Sequence, residues 1–192
     1  ISDKSEACDF IKDSCKECNR KYECTGENAA FCNHMKNILV AKYGAAEGCL
    51  KESRIRHSIG VANFLFAYAK SHDWSKEETE DLYLTGLLHD IGYIDNPKGT
   101  DHGRLGAEIL KRNGLNAEIC ELISCHGRFI ENPSRKQALL WLADLCVNRD
   151  GDYIGYQKRY ESIKERYKND PERLFQVYRI LEYLQIHFSE YR

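Results

Sequence analysis

The sequence predicts an all-α fold, and three observations carry that reading. Apolar residues recur at the three-and-four spacing of a helix face, alternating strand patterns are nearly absent, and the three prolines (Pro97, Pro133, Pro171) stand where helices must break or begin. The first apolar set is Ile38, Leu39 and Ala41, ending at Gly44, and the second is Ile55, Ile59, Ala62, Leu65 and Phe66. Ser75 and Glu78 make a capping box ahead of Leu82, Leu84, Leu87 and Leu88, with Gly92 just past the run as an expected left-handed terminator. Leu105, Ile109 and Leu110 form the next stripe, closed by Gly114. Asn116 is placed to cap a helix through Ile119, Leu122 and Ile123 that stops at Gly127. Ser134 caps a helix bearing Leu139, Leu140, Leu142 and Leu145, and Asp170-Pro171-Glu172 joins an N-cap to a proline at the first helical position.

A chain of 192 residues can bury one substantial core with an appendage. It divides into a Cys-rich N-terminal segment (1–34), a helical core (35–150) and a C-terminal helical extension (151–192) packed on that core. Tyr153, Tyr156, Tyr160, Tyr167, Tyr178 and Tyr183 dot the extension at spacings that fit packing better than base stacking. The charged fraction of 30% and hydrophobic fraction of 42% describe a globular chain, and no apolar run nears the roughly 18 residues of a spanning helix. A net charge of -2 gives no broad surface for a nucleic-acid backbone, so any phosphate recognition must be local. No secretory signal is visible, and a cytoplasmic location is the expectation. The sequence leaves the oligomeric state open, a homodimer included.

Chemistry concentrates in one set of histidines and aspartates. His57 lies near the apolar stripe of its helix, the adjacent pair His89-Asp90 follows Leu87-Leu88, His102 opens a helix, His126 closes one, and Asp144 sits among Leu140, Trp141, Leu142 and Leu145. A lone carboxylate in that last setting is costly to bury without a partner. Five helical segments thus deliver an imidazole or carboxylate at a helix end or in apolar surroundings, and mutual neutralisation by a cation accounts for all of them. Nitrogen and carboxylate donors together suit Fe, Mn, Zn or Co. Neighbouring helical residues point about 100° apart. His89 and Asp90 therefore converge on one ion only at a helix end, which fits their place before Gly92.

The order His57, His89-Asp90, Asp144, with "HDIG" at 89–92 and Arg54 three residues before the first histidine, resembles the HD-domain superfamily of metal-dependent phosphohydrolases across about residues 51–150. The additional His102 and His126 resemble its two-metal branches. That resemblance implies one ion on His57, His89 and Asp144, a second on His102 and His126, Asp90 bridging them, and a hydroxide between the ions. The segments "RIRHSIGVA", "LTGLLHDIGY", "HGRLGAEIL" and "LLWLADL" are similar to the bacterial symmetrical diadenosine-tetraphosphate hydrolases. The implied activity is hydrolysis of a phosphoester or phosphoanhydride in a nucleotide or dinucleotide polyphosphate. Some di-iron HD proteins resemble oxygenases, and a regulatory module that binds a nucleotide without turnover is a third reading.

Negative charge developing on phosphate requires fixed cations, and Arg54, Lys98, Arg104, Arg128 and Arg149 adjoin the ligand motifs. Asp95 and Asp101 follow the His-Asp pair as candidates for a general acid or a partner to a metal ligand. Nine cysteines are present, of which Cys8, Cys15, Cys18, Cys24 and Cys32 crowd the N-terminal segment. A long helical body needs no disulfide framework, so reduced thiols or a Zn or Fe–S cluster are the expectation there. Cys49, Cys120, Cys125 and Cys146 read as small buried hydrophobes, and His72 and His187 as surface or packing residues.

Overall fold

The computed structural model describes residues 52–94 and 101–192. The expected features at Ile38, Gly44, Cys49 and the five N-terminal cysteines lie outside the described residues, as do Asp95 and Lys98. Among the described residues, seven α-helices follow in order: α1 (Glu52–Ser71), α2 (Lys76–Leu88), α3 (His102–Arg112), α4 (Ala117–Cys125), α5 (Arg135–Cys146), α6 (Tyr156–Arg166) and α7 (Pro171–His187). Short 3-10 turns occupy Ile91–Ile94 and Ser189–Tyr191. Among the described residues there is no sheet, only one isolated bridge between Val147 and Tyr153. No described helix is long and apolar enough to cross a membrane.

The helix starts follow local chemistry. Ser75 accepts from the Glu78 amide while the Glu78 carboxylate reaches back to the Ser75 amide, so two donors orphaned at the α2 start are satisfied. Asn116 accepts from Glu118, Ser134 from Gln137 and Asp170 from Arg173, each through its side chain. Ser75→Ala should therefore lower the unfolding free energy by about 1 kcal/mol. A urea titration checks this through a lower midpoint at unchanged slope.

The stops divide. Gly114 has φ +79 and closes α3 as expected. Gly92 and Gly127 are absent from the positive-φ residues, so the left-handed terminator expected at each is corrected. At Gly92 the reason is space: an added Cβ would lie 1.8 Å from the His102 carbonyl oxygen and 2.6 Å from the Gly106 amide nitrogen. The turn carrying Gly92 thus lies directly on the first turn of α3.

Helix α5 is the centre of the core. From Gln137 to Cys146 every residue is buried except Asp144, which is half-buried. Val61 and Leu65 of α1, Leu82 of α2, Leu122 of α4, Ile163 of α6 and Ile180, Leu181 and Leu184 of α7 pack into the same cluster. Each such side chain contributes about 1.5–3 kcal/mol by leaving water. The C-terminal helices therefore share the core with α5, and Ser53–Arg192 forms one compact unit. Tyr160, Tyr167 and Tyr183 pack against that core, while Tyr153 and Tyr178 are exposed.

Candidate metal centre

Three helix ends and two helix interiors bring the predicted ligands together. His89 and His126 are the C-cap residues of α2 and α4, both with helical dihedrals. Each turns its Nδ1 back onto the carbonyl three residues earlier, Gly86 at 2.7 Å and Ile123 at 2.6 Å. A carbonyl only accepts, so each Nδ1 carries the proton and donates to an oxygen of the last helical turn. His57, inside α1, donates likewise from Nδ1 to the Asn148 carbonyl at 3.0 Å. That carbonyl lies in the loop after α5, which rests on α1 at Gly60, where a Cβ would stand 2.4 Å from the Gly151 oxygen. In all three histidines Nδ1 is thereby engaged by the backbone and Nε2 is the nitrogen left to bind metal.

Those nitrogens converge on two carboxylates. Asp144 Oδ1 is 2.9 Å from His57 Nε2 and 3.9 Å from His89 Nε2. Asp90 divides its oxygens: Oδ2 is 3.6 Å from His89 Nε2, whereas Oδ1 is 3.5 Å from His102 Nε2 and 3.7 Å from His126 Nε2. His102 Nε2 and His126 Nε2 are 2.9 Å apart. Three overlapping donor groups result, His57-His89-Asp90, His89-His126-Asp144 and Asp90-His102-His126, each within 4.8 Å and each capable of holding a divalent ion. His89 and Asp90 do converge at a helix end, as their adjacency required.

The donor set fits cations on physical grounds. His89 Nε2 is buried with no hydrogen-bond partner among the described residues, an arrangement that costs free energy unless something positive meets it. A lone pair of His57 facing a carboxylate oxygen at 2.9 Å is repulsive unless a proton or a metal intervenes. Burial lowers the pKa of His89 to about 4 and that of His102 to about 3, so both are neutral at neutral pH. Burial also opposes charge on Asp90, but His89, His126 and Arg54 outweigh it and hold the carboxyl well below its usual range. For Asp144 burial is likewise overcome, by His57 and His89. Against burial, the neighbouring Asp90 raises His126, drawing positive charge to the place where Oδ1 faces the ring.

Arg54 fixes the orientation of Asp90. Its Nη1 donates to Asp90 Oδ2 at 2.6 Å, and its guanidinium lies 3.8 Å from the Tyr93 ring centroid. Tyr93 in turn stacks on His102 at 4.1 Å, tying the second histidine to the same support. Of the other expected phosphate contacts, the described ones, Arg104, Arg128 and Arg149, are exposed. Arg104 is exposed and engaged by Asp101 and Glu108 on the outer face of α3, which also takes up Asp101. Arg128 is exposed and does not line the recess. Arg149 is exposed within the field of Arg166 and Arg54. Cys125 is half-buried, Cys120 and Cys146 are buried, His72 stacks on Tyr68, and His187 lies tilted against Tyr183.

A recess opens beside the ligands, bounded by Arg54, Asp90, His102, His126 and Asp144 on one side. Its other side comes from α6, α7 and their connection: Arg159, Ile163, Arg166, Tyr167, Arg173 and Val177. None of these basic residues adjoins a ligand motif, which is why motif reading missed them. A signal was present nonetheless for Arg159 and Arg166, whose seven-residue spacing puts them on one face of α6.

An all-α bundle that gathers histidines and aspartates from successive helices around a His-Asp pair defines a class, and the sequence match agrees. Residues 54–178 match the HD domain, and the chain belongs to the HD-domain family. It is similar to ribonuclease Y of Mycoplasma mycoides, with 34% identity over 113 residues, covering 58% of this chain and 20% of that protein. Ribonuclease Y of Fervidobacterium nodosum is 35% identical over 92 residues, covering 43% of this chain and 18% of that protein. An uncharacterised protein of Methanocaldococcus jannaschii is 31% identical over 77 residues, covering 39% of this chain and 45% of that protein. The chain thus spans about a fifth of the length of the ribonuclease Y relatives it matches. No solved structure matches it.

Proposed function

We propose that this HD domain is a metal-dependent phosphohydrolase acting on a phosphoester or phosphoanhydride of a nucleotide or dinucleotide polyphosphate, with symmetrical diadenosine tetraphosphate as the leading substrate. The supporting observation is Asp90, whose two oxygens face different histidines beside a recess lined with arginines. His57, His89 and Asp144 would hold one divalent ion (Fe, Mn, Zn or Co), His102 and His126 a second, with Asp90 shared. Such ions acidify water and neutralise charge on the reacting phosphate. The chain supplies the rest: Nδ1 donors to backbone fix the rings, Arg54 holds Asp90 in orientation, and the arginines of the recess receive the anion. Asp95 and Lys98 enter the proposal as general acid and phosphate contact, and residues 1–34 as a segment whose Cys8, Cys15, Cys18, Cys24 and Cys32 take Zn or an Fe–S cluster.

Similarity to ribonuclease Y favours a second reading, cleavage of an RNA phosphodiester. A chromatographic product screen over nucleotides and dinucleotide polyphosphates, run beside a single-stranded oligoribonucleotide with Mn, Fe, Co and Zn in turn, separates the two. Nucleotide turnover abolished by chelator is the expected result. Cleavage of the oligoribonucleotide alone, or turnover that requires iron together with O2, would contradict it.

A further inference from the structure

Helix α6 carries a cation in its apolar stripe. Tyr156, Arg159 and Ile163 are its buried residues, at the i, i+3, i+7 spacing of one helix face, and Tyr156 and Ile163 pack into the core around α5. Arg159 is 5% exposed and is the one buried lysine or arginine among the described residues. It lines the recess beside Asp90, His126 and Asp144. It stands in the field of Asp144 and Asp90 without an ion pair to either, and its Nε has no hydrogen-bond partner among the described residues. A guanidinium stays charged and offers five N–H donors, so burying one without contact partners is costly to the folded state.

The other charged groups of the recess have partners. Arg54 donates to Asp90 at 2.6 Å and lies over the Tyr93 ring, and Arg173 and Arg166 lie 4.4 and 5.7 Å from the Tyr167 ring centroid. Asp90 is held by Arg54, and Asp144 Oδ1 faces His57 Nε2 at 2.9 Å. Arg159 is thus left with donors beside the ligand cluster that no described carboxylate takes up. A phosphoryl group supplies what is missing, an anion whose oxygens accept from the guanidinium fork in pairs.

We propose that Arg159 is the contact for the reacting phosphoryl group, while Arg54 serves to orient Asp90. The assignment rests on the phosphohydrolase reading and deepens it, because the substrate anion is met from α6 and not from the helices that carry the ligands. One phosphoryl group is enough to answer the one buried cation that the chain leaves unpaired.

Calorimetric titration of the full-length, Mn-loaded protein with inorganic phosphate tests the contact without using turnover. Arg159→Met should weaken phosphate binding about tenfold or more, the worth of one charge-assisted contact. Arg159→Lys keeps the charge and loses the fork, so it should recover only part of that loss. Methionine suits the stripe between Tyr156 and Ile163, so Arg159→Met should keep its Mn content and, without phosphate, melt no lower than the native chain. Arg166→Gln should weaken binding less than Arg159→Met does. The assignment is overturned if Arg159→Met binds phosphate as the native chain does, if Arg166→Gln costs as much, or if Arg159→Met loses Mn or melts lower, as removal of a structural counter-ion of Asp144 would cause. Metal content of the native chain and the product screen over nucleotides are read separately, so failure of the phosphohydrolase reading is distinguishable from failure of this contact.

Discussion

Asp90→Ala is expected to lose both metal ions at once and to lower substrate turnover by at least about a thousandfold, equivalent to about 4 kcal/mol of activation free energy. His102→Ala should lose one ion and keep the other. The difference follows from geometry. Asp90 Oδ2 faces His89, and Oδ1 faces His102 and His126, so removing this carboxylate withdraws a donor from two groups. His102 belongs to one group alone. Metal-to-protein ratios by plasma mass spectrometry, with far-UV circular dichroism to show retained helix, check the pair of variants. Equal metal loss from both would mean that Asp90 is an ordinary ligand and not a shared one.

Gly92→Ala is expected to be the most damaging small substitution in the described fold. The added methyl group would meet the His102 carbonyl and the Gly106 amide, both backbone atoms that cannot rotate away. Relief requires the turn at Ile91–Ile94 to separate from α3, which exposes the buried Ile91 and unstacks Tyr93 from His102. Overpacking of this kind costs about 3 kcal/mol or more. For a unit of this size that lowers the melting temperature by roughly 10 °C. Differential scanning calorimetry reads the shift, and a change within a degree would show that the turn is not seated on α3 as described. The glycine of "HDIG" is thus explained by its distance to the next ligand helix.

Much of the arrangement was legible because the sequence rules are local. Caps at Ser75, Asn116, Ser134 and Asp170 need only a short side chain and an amide two or three residues on, and all four form. The six candidate ligands could be picked out because each is a polar group placed at a helix end or in apolar surroundings, where only mutual satisfaction makes burial tolerable. What escaped was set by tertiary contact. Gly92 reads in sequence like any helix terminator, and only the approach of α3 reveals its role. Arg104 adjoins a ligand in the chain but points along the outside of α3, whereas Arg159 lies 15 residues beyond Asp144 and returns to it through the packing of α6 on α5. Proximity in sequence to a ligand motif picks out Arg54 but not Arg159, Arg166 or Arg173 among the arginines that line the recess.

The central claim is that one aspartate joins two adjacent metal positions. A crystal structure of the metal-loaded chain, with anomalous scattering recorded at the absorption edge of the added metal, tests it most directly. Two anomalous peaks are predicted, one among His57, His89, Asp90 and Asp144 and one among Asp90, His102 and His126. A single peak among these residues, or none, would contradict it.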